Sequence, residues 1–195
     1  METSTTRPLT DEMPAALALA WLGVTDAASA TEGLLDRALF YCTEKMHLPS
    51  TEIALDLLRQ GDRMARWYAH HSLAEQVAEK LGGLDGTVQS VYVYDLDATP
   101  EDLAFGEPAS TSPIQMIVQA QRKTKALWAL IDALEKALIE EYASRVGPGR
   151  LDYLLDVQVI DGDDVENGRG YAGLLRSLHN RPIQVWQREQ PPDAG

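Results

Sequence analysis

From about residue 11 to residue 82 the apolar positions recur at the three- and four-residue steps of amphipathic helices. Thr10 or Asp11 is placed to cap a first short helix through Leu22. Ser29 and Glu32 have the spacing of a capping box for a second helix carrying Leu34, Leu35, Ala38, Leu39 and Cys42, with its end near Met46. Pro49 and Ser50 then start a long third helix, whose buried stripe is read from Ile53, Leu57, Met64, Trp67 and Tyr68, with Gly61 as a point of bending or interruption. Leu73, Val77 and Leu81 continue the face to a C-terminal stop at Gly82 and Gly83.

Past that glycine pair the period changes to two. Val91 and Val93 alternate with Tyr92 and Tyr94, which predicts a strand at about 89 to 95. Thr99, Pro100, Glu101 and Asp102 read as the start of one helical turn closing near Phe105, and Gly106 to Pro113 reads as a loop. Residues 114 to 121 place Ile114, Met116, Val118 and Ala120 on one face and predict a second strand, the alternative being an early start of the next helix. That helix runs from Lys123 to Ser144 on Leu127, Ile131, Leu134, Leu138 and Tyr142, ended by Gly147, Pro148 and Gly149. A strand covered on both faces at 151 to 160, an acidic loop from Asp161 to Glu166, a short helix at Tyr171 to His179 and a strand at Pro182 to Gln187 complete the expectation. The fold class is α+β: a helical region at 1–85 packed on a small mixed sheet at 86–190, with a frayed tail at 191–195.

Composition narrows the chemistry. The chain has 195 residues, 45% hydrophobic and 24% charged, and a formal charge of -13 that disfavours nonspecific nucleic-acid binding. Cys42 is the single cysteine, so no intrachain disulfide forms and a cytoplasmic location is expected. Ala15 to Val24, followed by Ala27, Ala28, Ser29 and Ala30, imitates a secretion signal. Its front end carries Glu2, Asp11 and Glu12 against Arg7, which argues against that role. No apolar run approaches the roughly 20 residues that cross a bilayer.

The order strand, loop, strand, long helix, strand, short helix, strand over residues 86 to 188 resembles the minimal nucleotidyltransferase superfamily, the small relatives of DNA polymerase beta. The resemblance is carried by the strand Val91 to Tyr94, the Ser-x-Ile-x-Met-Ile-Val run at 112 to 118, the strand Leu155 to Val159 and the closing strand Pro182 to Trp186. It implies a Gly-Ser turn after the first strand, an acid pair opening the second, and a third acid on the next, because two magnesium ions need several carboxylate oxygens on one face. Here the turn reads Tyr94, Asp95, Leu96, and the places of the acid pair are taken by Pro113 and Gln115. Only Asp156 matches, as the third acid. The resemblance therefore implies a degenerate, noncatalytic copy without cofactor, serving as a scaffold or interaction protein. A homo-oligomer is expected, since edge strands and a long apolar-faced helix offer surfaces for self-association, and a protein partner is compatible with it.

Two competing expectations stand beside it. In a second register, Gly82 and Gly83 are followed by Asp95, Leu96 and Asp97, with Asp156 as third acid, which makes a magnesium-dependent nucleotidyltransferase. A nucleotide-binding sensor that kept the cleft and lost the chemistry is the other.

Smaller constellations have structural readings as well as chemical ones. Arg66 and His71 have the Arg-x4-His spacing that is similar to the ribonuclease motif of the helical HEPN family, and rim contacts on a helix carrying Trp67 and Tyr68 explain them more simply. His47, His70, His71 and His179 are expected to be solvated or capped. Asp161, Asp163, Asp164 and Glu166 form the densest acid cluster, a weak candidate for calcium or magnesium and a stronger one for a charged turn. Arg122, Lys123 and Lys125 oppose the dipole at a helix start, which hints at an acidic partner surface, although a solvated helix face is the preferred reading. Trp21, Trp67, Trp128 and Trp186 suit contacts between the helical half and the sheet half.

Overall fold

The computed structural model describes residues 27–94, 113–147, 153–177 and 181–189. The expected helix at 11–22, the turn near 99–105, the loop from 106 to 112 and the tail at 191–195 lie outside the described residues, as do Trp21, Asp95, Asp97 and His179. Among the described residues the fold is α+β, with six α-helices, one 3-10 helix and a four-stranded mixed sheet.

The first described helix, α1 (Ala27–Thr31), is followed directly by α2 (Leu34–Lys45). The helix expected to start from a capping box of Ser29 and Glu32 starts instead at Leu34. Ser29 lies within α1, and α2 starts from Gly33, whose φ of 73° only glycine adopts without strain. The long helix expected from Ser50 onward is broken in two, α3 (Thr51–Arg59) and α4 (Arg63–Leu84). Gly61 makes the break at φ 75°, and Asp62 restarts the chain by accepting the Ala65 N–H at 2.9 Å.

The stripe buried by these helices is also displaced in part from the expected one. The later part of the stripe, Leu73, Val77 and Leu81, is buried as expected, but the earlier part is made by Ala54, Leu58, Ala65 and Ala69, whereas Ile53 is 40% exposed and Trp67 and Tyr68 are half-buried. Small side chains let α4 pack closely on Leu35, Ala38, Leu39 and Cys42 of α2, and the large aromatics are left at the rim. The Cys42 S–H points at the Ala65 carbonyl at 3.5 Å, and burial, assisted by Asp62, pushes the thiol up to about 11.

Helix α4 does not stop at Gly82. It passes through both glycines to Leu84 and leads through Asp85 into β1 (Val88–Val93). The second strand, β2 (Ile114–Ala120), is a strand as expected and pairs antiparallel with β1. Helix α5 (Lys125–Val146) starts two residues later than expected because Thr124 caps it, accepting the Leu127 N–H at 3.1 Å. It carries the chain over to β3 (Leu155–Ile160), which pairs parallel with β2. The expected acidic loop is instead a short helix, α6 (Gly162–Asn167), followed by a 3-10 helix (Gly170–Arg176) and β4 (Ile183–Gln187).

The strand order is β3-β2-β1-β4. One face, carrying Val91, Val93, Ile114, Met116, Val118, Leu155 and Val159, joins the helical side chains in one core that also includes Leu34, Leu73 and Leu134. The opposite face is covered in part by α6 and the 3-10 helix, where Ile117, Ile160 and Ala172 form a second, smaller cluster. No described helix is long and apolar enough to cross a membrane.

Candidate functional site

The alternation of β2 and β3 turns Gln115, Ile117, Asp156 and Gln158 onto that second face. In the parallel register Gln115 stands opposite Asp156, and Ile117 opposite Gln158. The Gln158 side-chain amide donates to Asp156 Oδ1 at 3.0 Å. On the other side of β2, Tyr92 of β1 faces Ile117, and the Tyr94 N–H donates to the Gln115 carbonyl at 3.1 Å. Tyr171 of the 3-10 helix leans on Tyr94 with ring centroids 5.5 Å apart. Among the described residues the face is therefore a row of phenols and amides, mostly half-buried, around one carboxylate, Asp156.

Pro113 precedes β2 by one residue, so the two positions implied for an acid pair do flank the entry of this strand, and neither is anionic. Of the alternative triad only Asp156 is described. Among the described residues no group of three or more His, Cys, Asp or Glu side chains could hold a metal ion. Asp156 and Gln115 also lie at the end of the sheet that is set by α5. Glu135 of that helix accepts the Leu154 N–H at 2.6 Å and the Leu155 N–H at 2.8 Å, one on each carboxylate oxygen. Burial pushes the Glu135 carboxyl up, opposed by these two bonds.

Gly82 and Gly83, the glycine pair of the alternative register, lie within the last turn of α4 rather than in a phosphate-binding turn. Gly82 is needed for packing: a Cβ there would fall 2.2 Å from the Trp186 ring. Arg188 stacks over Trp186, and its guanidinium donates to the carbonyls of Gly82 at 2.6 Å, Asp85 at 3.1 Å and Val88 at 2.8 Å. Asp85 is buried beside it, with Oδ1 accepting from the Thr87 N–H and hydroxyl at 2.8 and 2.7 Å. This cluster was not anticipated in the sequence, because it joins residues about one hundred positions apart.

The acids at 161–166 have local duties. Asp161 and Asp164 close a capping box at the start of α6, each carboxylate accepting the other's backbone N–H at 3.0 and 3.2 Å. Lys123 pairs with Asp164 and, with that cap, holds its carboxyl below the usual range. Asp163 and Glu166 are exposed. Arg122 and Lys125 are exposed beside Lys123.

The Arg-x4-His pair is separated by the helix itself. Arg66 bonds the Tyr142 hydroxyl on α5, and the residue that joins it is His70, one helical turn on, with Nε2 at 3.4 Å from Tyr142 Oη. His71 turns to the other side, stacked on Trp67 at 5.2 Å and paired with Glu75 at 3.3 Å. His70, expected to be solvated or capped, is thus buried with the Tyr142 hydroxyl as its polar neighbour, and burial, with Arg66 nearby, pushes it down to about 3. His47 is exposed, at a backbone φ of 53°. Of the tryptophans, Trp186 does bridge the helical and sheet halves at Gly82, whereas Trp128 is 38% exposed.

An open cleft of about 500 Å³ lies where α1 and α2 meet α5, lined by Glu32, Asp36, Glu140 and Glu141 among others. Arg145 enters this acidic region and pairs with Asp36 at 2.6 Å and Glu141 at 3.7 Å. Comparison of the chain with family models, with curated proteins and with solved structures gave no match.

Proposed function

We propose that this chain is a noncatalytic scaffold or interaction protein built on a nucleotidyltransferase-like sheet, working in the cytoplasm as a homo-oligomer that offers its surface to a protein partner. The observation that carries the reading is the pairing of Asp156 with Gln115 across β2 and β3. Two magnesium ions hold their places against hydration only when several anionic oxygens converge. An amide in the facing position supplies dipole and hydrogen bonds but no charge. Among the described residues, the side chains nearest this pair, Tyr92, Tyr94, Ile117 and Gln158, are phenols, an aliphatic group and an amide, and where α6 and the 3-10 helix leave them uncovered they suit contact with another surface better than the capture of a triphosphate.

The magnesium-dependent enzyme is the second reading, and one observation favours keeping it. The hydrogen bond from Tyr94 to Gln115 puts the end of β1 two strands from Asp156, roughly 10 Å across, and Asp95 is the next residue in the chain.

Thermal-shift measurements with ATP, GTP and CTP, with and without magnesium, separate these readings, because a ligand that prefers the folded state raises Tm. The scaffold reading expects an unchanged Tm throughout. A magnesium-dependent rise that disappears in Asp156→Asn overturns it, in favour of the enzyme if labelled nucleotide is turned over and of a nucleotide-binding sensor if it is not.

A further inference from the structure

Strand β4 is the least buried of the four described strands. None of its five side chains is buried, and Ile183 is 49% exposed, whereas β1 buries Val88, Ser90, Val91 and Val93. It sits at one end of the strand order, paired only with β1 among the described strands. Its ladder is interrupted as well: Trp186 faces Val91 and Gln184 faces Tyr92, so Val185 is an extra residue that bulges out of register.

The strong contacts of β4 are gathered at its C-terminal end. Trp186 fills the space left by Gly82, and Arg188 spans three carbonyls that belong to the last turn of α4, the following corner and the first residue of β1. A guanidinium serves such a task because its fork presents several N–H donors in one rigid plane. The Gly82 carbonyl stands where a helix runs out of internal donors, so losing Arg188 leaves it unmet as well as freeing the strand, whereas the Asp85 carbonyl keeps the Val88 N–H at 3.2 Å.

We propose that β4 is a strap that opens as a unit while β1, β2 and β3 stay paired, with Arg188 as its latch. Opening costs the packing of Val185 and Trp186 on the core, but Ile183, Gln184 and Gln187 are already exposed, and the ladder that breaks is already disrupted at Val185. It uncovers the backbone edge of β1 from Ser90 to Val93.

Native-state hydrogen exchange resolved by peptide tests this. In the unmodified protein the amides of β4 are expected to exchange at least about tenfold faster than those of β2. Arg188→Ala should accelerate β4 and the β1 amides that face it while leaving α2 and α5 unchanged, and Arg188→Lys, which keeps the charge without the fork, should do so to a smaller degree. Exchange of β4 in step with β2 in the unmodified protein overturns the proposal without recourse to any variant. A uniform acceleration of all elements in Arg188→Lys overturns the latch.

Discussion

Gln115 faces Asp156 across the parallel pair of β2 and β3, an uncharged amide set against a carboxylate on one face of the sheet. Gln115→Asp would place two carboxylates opposite each other. At neutral pH and low salt this should destabilise the fold by roughly 0.2 to 1 kcal/mol, the scale of cross-strand side-chain interactions, and millimolar magnesium should restore part of the loss. Urea midpoints with and without magnesium read the effect. A variant indifferent to both salt and magnesium would show that the two side chains do not share an environment.

His70 should make the fold sensitive to mild acid. Its folded-state value near 3 lies below the ordinary 6.5, so the native state excludes a proton that the unfolded chain accepts. Its contribution is fully present above about pH 6.5 and is lost as pH falls from there toward 3, in total about 4 to 5 kcal/mol at 1.36 kcal/mol for each pH unit. Urea midpoints between pH 7 and 4 should fall accordingly. In His70→Gln, which offers Tyr142 a polar neighbour and takes no proton, the slope over this window should flatten; an unaltered slope would assign the acid sensitivity elsewhere.

Gly82→Ala brings two opposed effects. Alanine is favoured over glycine in a helix by about 1 kcal/mol, but the new methyl would stand 2.2 Å from the Trp186 ring. Overpacking of this kind costs about 1 to 3 kcal/mol, so net destabilisation is expected. In a double-mutant cycle with Trp186→Ala the penalty should vanish and the helical gain should surface. Additive effects would contradict the close approach.

Glu135→Gln should lower stability by about 1 to 3 kcal/mol, the cost of leaving a buried donor unmet, because the amide offers one acceptor where Leu154 and Leu155 need two. The substitution also removes a carboxyl raised by burial, whose own contribution weakens as pH rises through its folded value. Hydrogen exchange at Leu154 and Leu155 provides the local measurement, and protection as strong as in the parent protein would refute this role.

Period alone made much of the architecture legible. The alternation of Val91 and Val93 with Tyr92 and Tyr94 marks β1, the steps from Leu127 to Tyr142 mark α5, and both elements are present. The errors have physical causes. Large side chains such as Ile53, Trp67 and Tyr68 draw the eye in a pattern search, yet the close helix contacts are made by Ala54, Ala65 and Ala69. A dense run of acids resembles a loop until Asp161 and Asp164 are seen to cap one another across a single turn. The partnership of Arg66 with His70 and Tyr142 depends on a residue 72 positions beyond His70, which no local spacing encodes. The placement of Asp156 on the second face follows from strand alternation, but its partner Gln115 is set by the register of two distant strands.

The grip of Glu135 on two successive amides makes the crossover helix a gauge for the sheet. A slide of α5 by a single residue would carry its carboxylate about 1.5 Å along the axis, far enough to let go of one amide, and the strand it leads into would have no reason to keep step with β2. The coordinates of Asp156 are in that sense dictated from the opposite side of the molecule, so a substitution deep in α5 can reshape the amide-lined face without touching any residue on it.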